Sequence, residues 1–240
     1  MLSTIRSRQT ALVRGLVRIE LAAFLIARHE LTRAQWSRLT LGTDIPGEPS
    51  NVPVGAVFAG KAVTATHPVE WVDWNTCSRT LAEGGLVLPT EAQWEYACHA
   101  GTSTPWWPGP EPESLLGNEN IRDKTGDSVI KVGGLSFPFD DGHGFTAPVG
   151  SYAANPFGLH DMHGNVSEWC IDQKGSYTDK VKPGTGELLP EVKSDNHFRR
   201  GGSYACDLPL TRSTYRNWGK PTYKTDWLGV RAARLLPKKQ

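Results

Sequence analysis

An α+β fold with few helices, small sheets and much irregular chain is what this sequence predicts, on three observations. Segments within the first hundred residues carry paired start and stop signals for helices. Past residue 101 those signals give way to short β-type runs between clusters of Gly, Pro, Asp and Asn. Gly (25) and Pro (17) together make about a sixth of the 240 residues, a usage that demands many turns. The length suffices for a sizeable core, and no linker or composition shift divides the chain, so one large domain is expected.

The elements follow in order. ALVRGLVRIELAAFLIA (11 to 27) is apolar, but Arg14, Arg18 and Glu20 interrupt it, which argues against a membrane span and a signal-peptide core. A cytosolic protein or a piece of a larger chain fits better, and surface display through a partner or fusion stays open. LTRAQWSRLT (31 to 40) predicts a short helix entered at Thr32, with Ala34 or Gln35 and Trp36 turned inward. DWNTCSRTLAEGG (73 to 85) has Asp73 as an N-cap and Gly84-Gly85 as a stop. LPTEAQWEYACHAG (88 to 101) is the clearest helix: Thr90 and Gln93 form a capping box, Glu91 sits in the positive first turn, and Trp94, Ala97 and Cys98 share a face. The β-type runs are TAPVGSY, SEWCI, FRRGGSY and LGVRAARL.

Charge and cysteine usage narrow the function. A formal net charge of +1, well mixed along the chain, leaves no electrostatic footprint for nucleic acid. Cys77, Cys98, Cys170 and Cys206 lack CxxC spacing, so neither a zinc site nor a disulfide framework is indicated. The seven histidines (His29, His67, His99, His143, His160, His163, His197) form no ligand pattern. His160 and His163 are three apart, but within a turn. No Ser-His-Asp set, phosphate loop or acid/base carboxylate pair stands out. The sequence leaves ligand and oligomeric state open.

The blocks FLIARHELTRAQW, HPVEWVDW, LPTEAQWEYACHAG, DDGHGFTAPVGSYAANPFGLHDMHGNVSEWC, RRGGSY and LGVRAAR occur in an order that resembles the formylglycine-generating enzyme (sulfatase-modifying factor) family. The resemblance covers about residues 18 to 236 and implies a C-type-lectin-like fold. Residues 1 to 17 read as an N-terminal extension or truncated opening strand, since the family's glycine-rich opening is missing, and 237 to 240 as a tail.

DMHGNVSE (161 to 168) holds the strongest chemistry. Asp161 and Glu168 bracket Gly164 and Val166 in one tight turn, and Ca²⁺ takes a mixture of carboxylates, carbonyls and waters of this kind. On the residues alone, two carboxylates that accept from turn amides are the preferred reading. The resemblance implies one structural calcium site at Asp161, Gly164, Val166 and Glu168, and a second at Asn120, Ile121, Asp141 and His143.

For catalysis the chain departs from the family. Copper-dependent members hold Cu(I) between two thiolates after GGS, as ligand softness favours. Cys206 matches the first position, while Thr211, or Arg212 after a one-residue slip, stands at the second. Other members, the sulfoxide synthases of ergothioneine biosynthesis, use a His-x3-His-x-Glu iron motif that this chain lacks. Copper and iron are therefore not expected, and an oxidoreductase acting through Cys206 is the alternative to a binding module.

The binding reading rests on residues 204 to 227. Gly201, Gly202, Arg212, Arg216, Trp227 and Arg231 read as a frame. Tyr204, Cys206, Asp207, Leu208, Leu210, Thr214, Asn217, Trp218, Tyr223, Lys224 and Asp226 read as a mixed aromatic and polar surface for a protein or small-molecule ligand. An ordinary solvated loop is the plainer reading. The layout resembles variable proteins of diversity-generating retroelements, and the recognition domain of a larger bacterial protein such as a kinase fusion is a further possibility.

Overall fold

The computed structural model describes residues 2–5, 10–13, 17–130 and 136–236. The 237–240 tail and part of the 1–17 segment lie outside the described residues. In chain order the elements are β1 (Leu2–Ile5), β2 (Thr10–Val13), β3 (Val17–Glu20), β4 (Phe24–Ala27), α1 (Arg33–Thr40), β5 (Val57–Phe58), β6 (Lys61–Ala62), α2 (Trp74–Glu83), α3 (Glu91–His99), α4 (Lys124–Ile130), β7 (Ser167–Gln173), β8 (Lys180–Val181), β9 (Leu188–Leu189), β10 (His197–Arg200), β11 (Asn217–Gly219), β12 (Leu228–Gly229) and β13 (Ala233–Leu235).

The three expected helices form where their caps stand. Thr32 and Thr90 each close a full capping box, with Gln35 and Gln93, and the Asp73 side chain accepts from the Thr76 amide. In α1 the buried positions are Arg33, Trp36 and Thr40, while Ala34 and Gln35 are exposed. Arg33 can turn inward because Glu70 accepts from it at 2.9 Å.

Two expectations after residue 101 need correction. A fourth helix, α4, does form: the Asp123 carboxylate accepts from the Gly126 amide at 2.8 Å and starts it, although Gly126 weakens its propensity. TAPVGSY is not a strand. Its amides go elsewhere: Ala147 donates to the Asn165 side chain, Gly150 to Asp161 and Val149 to the Thr66 carbonyl.

Two sheets position the C-terminal stretch. One is ordered β1-β4-β13, so the first and last described strands flank Phe24–Ala27. The other is ordered β11-β10-β7-β12, antiparallel except for the β7–β12 pair. Helix α3 carries Trp94, Ala97 and Cys98 into a core with Phe24, Ile26, Met162, Cys170 and Phe198. Trp36 and Trp169 centre a second core with Val72, Cys77, Leu81 and Val230. No helix among the described residues is long and apolar enough to cross a membrane.

Candidate functional site

The turn at Asp161–Glu168 is built by backbone that few residues tolerate. Asp161 (φ 57°) and Asn165 (φ 50°) are left-handed and Gly164 has φ 138°. A Cβ on Gly164 would lie 2.0 Å from the Asn120 carbonyl oxygen, so only glycine fits there. That oxygen accepts from the Asn165 amide at 2.7 Å. The two residue sets expected to bind calcium therefore adjoin, through Asn120 and Gly164.

Their oxygens are unequally engaged. Asp161 is buried; one carboxylate oxygen accepts from the Gly150 amide at 2.7 Å and the other, Oδ1, has no partner. Glu168 is committed to other donors, taking Nε and Nη2 of Arg231 and the indole of Trp94. Glu30, absent from the expected ligands, is 0% exposed; its carboxylate accepts from the Asn165 side chain and the Val166 amide, both at 3.3 Å, and lies close to the Asp161 carboxylate. Burial first, then the charge of Asp161, pushes the Glu30 carboxyl well above its ordinary range. Glu119 is also buried, with its carboxyl pushed up to about 8 by burial and by Asp161. Four buried carboxyl groups thus surround one guanidinium, that of Arg231. Such an excess must be neutralised by protons or by a cation.

In the second set, Asp141 accepts from the amides of Ile121 and His143, both at 2.9 Å. The Asn120 side-chain oxygen is buried without a partner. The His143 ring lies between the Tyr152 hydroxyl (2.8 Å) and the Lys61 ammonium (3.4 Å). The Lys61 ammonium, itself exposed, touches the ring and not the carbonyl expected to take part in a calcium site. Among the described residues no three His, Cys, Asp or Glu side chains form a metal cluster.

The C-terminal stretch divides into several environments. Tyr204 is buried, its ring tilted against that of Phe145 at 4.9 Å between centroids. Cys206 is half-buried with Sγ 3.1 Å from the Ser203 hydroxyl, and burial pushes its thiol up. Thr211 is buried, accepting from the Trp106 indole and donating to the Leu208 carbonyl. Cys77, Cys98 and Cys170 are buried. Asp207 pairs with Arg122 at 3.0 Å, Leu208 packs on the Trp106–Leu115 cluster, and the Leu210 amide closes a turn onto the Asp207 carbonyl. Thr214 and Lys224 are exposed, and Asn217 caps the Trp218 amide. Of the frame arginines, Arg216 pairs with Glu91 and Arg231 with Glu168. Arg212 is exposed and lies over Trp106.

Trp218 and Tyr223 do not share a face. Trp218 stands opposite Phe198 in the β10–β11 ladder, with Lys174 over its ring at 3.9 Å. Tyr223 lies over Arg199, at 5.3 Å, and successive strand residues project to opposite faces. The two exposed aromatics therefore belong to different surfaces.

A cavity of about 540 Å³ takes four residues of the stretch: Tyr204, Ala205, Asp226 and Trp227. Val52, Phe58, Arg122, Val129, Ile130 and Phe145 complete its wall. Arg122 is neutralised by Asp127 and Asp207, whereas Asp226 has the Thr225 hydroxyl, at 3.1 Å, as its hydrogen-bond partner. The cavity thus combines aromatic walls with one carboxylate that pairs with no cation among the described residues. Phe58 and Phe145 come from loops far from residue 204, and the sequence carries no signal that they meet it.

Comparison with known proteins gives a consistent picture. A family model described as the sulfatase-modifying factor enzyme 1-like domain matches residues 6–236. Formylglycine-generating enzyme of Thermomonospora curvata is 30% identical over 166 residues, covering 68% of this chain and 52% of that protein. Serine/threonine-protein kinase pkn1 of Chlamydia caviae is 31% identical over 172 residues, 71% of this chain and 24% of the kinase. The chain thus spans about half the length of the first relative and a quarter of the second. Among solved structures, Treponema denticola variable protein 1 superposes with a TM-score of 0.75 at 20% identity, over 97% of this chain and 94% of the other, which is a likeness of fold.

Proposed function

The chain belongs to the sulfatase-modifying factor enzyme 1-like family, and on that premise we propose that it is a binding module, stiffened by calcium, whose ligand enters the cavity beside Trp227. The observation that carries this reading is the cavity itself: Phe58, Phe145, Tyr204 and Trp227 around the carboxylate of Asp226, which pairs with no cation among the described residues. Apolar walls with one convergent polar group are the usual form of a small-ligand site, and a carboxylate among aromatic rings selects an aromatic or aliphatic cation. Within a longer protein, as in the pkn1 kinase that it resembles over a quarter of that length, the same module would serve as a recognition domain.

The oxidase alternative draws less support. Thr211 holds the Trp106 indole and supplies no thiolate, and the thiol of Cys206 is pushed up rather than down, the reverse of an activated cysteine.

For calcium, the fitting oxygens are those of Asp161 and Glu30, with the carbonyls of Gly164 and Val166 in the same turn. The unpartnered Asp161 Oδ1 and the surplus of buried carboxyl groups support it. A bound ion would supply the missing positive charge and tie irregular chain together.

Benzylamine, followed by ligand-observed NMR, tests the cavity. Saturation transfer to benzylamine is expected in the native protein and lost in Asp226→Ala and in Ala205→Trp, which fills the space. Equal transfer in the filled variant, or none in the native protein, overturns the reading.

A further inference from the structure

Five arginines are buried among the described residues, and four of them meet a carboxylate: Arg33 with Glu70, Arg122 with Asp127 and Asp207, Arg200 with Glu91 and Glu95, Arg231 with Glu168. Arg199 is the exception. It is 7% exposed, and its Nε and Nη1 are buried with no acceptor in reach. What surrounds it is aromatic: the Trp227 ring at 4.5 Å and the Tyr223 ring at 5.3 Å. The other groups whose charge bears on it are Cys206 and Tyr215, a thiol and a phenol, and neither is a carboxylate.

Register explains the isolation. Phe198 and Arg200 project toward α3, where Glu91 and Glu95 receive Arg200. Arg199 sits between them in β10 and projects to the other face, against residues of the C-terminal stretch. A guanidinium stays charged at any ordinary pH, and a desolvated charge without a partner destabilises the fold. Ring stacking offsets only part of that cost. A polypeptide that tolerates such a group gains when a ligand supplies the absent charge.

We propose that Arg199 anchors an oxyanion, a carboxylate or phosphate group of the ligand, received between Tyr223, Trp227 and the Ser203–Cys206 pair. Access runs past Tyr223, which is 40% exposed. The inference rests on the binding reading given above and extends it: Trp227 both lines the cavity and carries Arg199, so the cavity and the anchor share this indole. Guanidinium groups recognise carboxylate and phosphate alike through charge-assisted hydrogen bonds.

The test uses acetate and methyl phosphate as separate probes, against chloride at matched ionic strength, with melting temperature as the readout. In the native protein one or both probes are expected to raise the melt by a few degrees and to saturate; which of them does so identifies the source. Arg199→Met should melt no lower than the native protein in chloride and show no probe response, and Arg199→Lys should keep part of it. An unchanged response in Arg199→Met, or no response above chloride in the native protein, overturns the proposal.

If Arg199→Met does not fold, the native thiol decides. Alkylation of Cys206 forms an S–C bond and releases iodide. Iodoacetate, itself a carboxylate, should gain at least several-fold over neutral iodoacetamide relative to a free-cysteine peptide, and acetate or methyl phosphate should suppress that gain. No gain sinks the anchor. The two readings also fail separately: benzylamine binding survives the loss of the Arg199 response if only the anchor is wrong, and the Arg199 response survives the absence of benzylamine binding if only the cavity reading is wrong.

Discussion

Glu30 and Asp161 bury their carboxyl groups against each other, at 0% and 1% exposure. Arg231 is the cation beside them and is already paired with Glu168, so the two carboxyl groups cannot both ionise in one dry site without further positive charge. Calcium is therefore expected to raise the melting temperature and excess chelator to lower it, by several degrees for a domain of this size. Asp161→Asn should abolish the calcium response. Identical melts with chelator and with calcium, together with no metal by elemental analysis, would count against the ion.

The separation of Trp218 from Tyr223 gives a second expectation. Tyr223→Ala should weaken the anion response at Arg199, because it removes one wall of that site. Trp218→Ala, across the ladder, should leave it intact. Both side chains are exposed, so each variant should stay within about 0.5 kcal/mol of native stability by denaturant unfolding. A reversal of the two effects would mean that the edge strand carries the surface.

Arg200 is fully buried between Glu91 and Glu95. Removing one partner of a buried ion pair leaves charge uncompensated and typically costs about 3–5 kcal/mol. Glu95→Ala is expected toward the lower end of that range, since Glu91 remains. Glu91→Ala should cost more, because Arg216 also pairs with it. Urea midpoints of the two variants check the order.

Glu70 sets a pH dependence. Burial lifts its carboxyl from an ordinary 4.5 to about 7 despite the Arg33 guanidinium. A folded-state value above the unfolded one means that Glu70 contributes most below about 4.5, a contribution lost as the pH rises through 7. Glu70→Gln should therefore gain on the native protein between pH 5 and pH 8 in paired thermal melts. His67 acts in the opposite sense: burial lowers it to about 4, so its contribution is present above 6.5 and lost as the pH falls through 4. A Glu70→Gln difference that is flat with pH would show that Glu70 is ionised throughout.

Much of this was legible in the chain because its causes are local. Thr32, Asp73 and Thr90 start helices through their own side chains, within three residues of the amides they cap. Gly164 marks a backbone approach that no Cβ permits, and Thr211 announces the absence of a second thiol. Helix α4 has a start just as local, Asp123 accepting from the Gly126 amide, but its seven residues include a glycine and so carry a weak helical signal. TAPVGSY passed for a strand because its composition favours one, while distant Asn165, Asp161 and Thr66 take its amides.

The sequence by itself determined the α+β class, the capped helices, the tight turn at Gly164 and the single cysteine after Gly202. Tertiary structure alone decided that Glu30 meets Asp161, that Tyr204 faces inward, that Trp218 and Tyr223 part company, and that Arg199 lacks the carboxylate its neighbour Arg200 has. The physical reason is that caps and turns close within a few residues, whereas burial and ion pairing depend on strand register and on contacts between positions far apart in the chain.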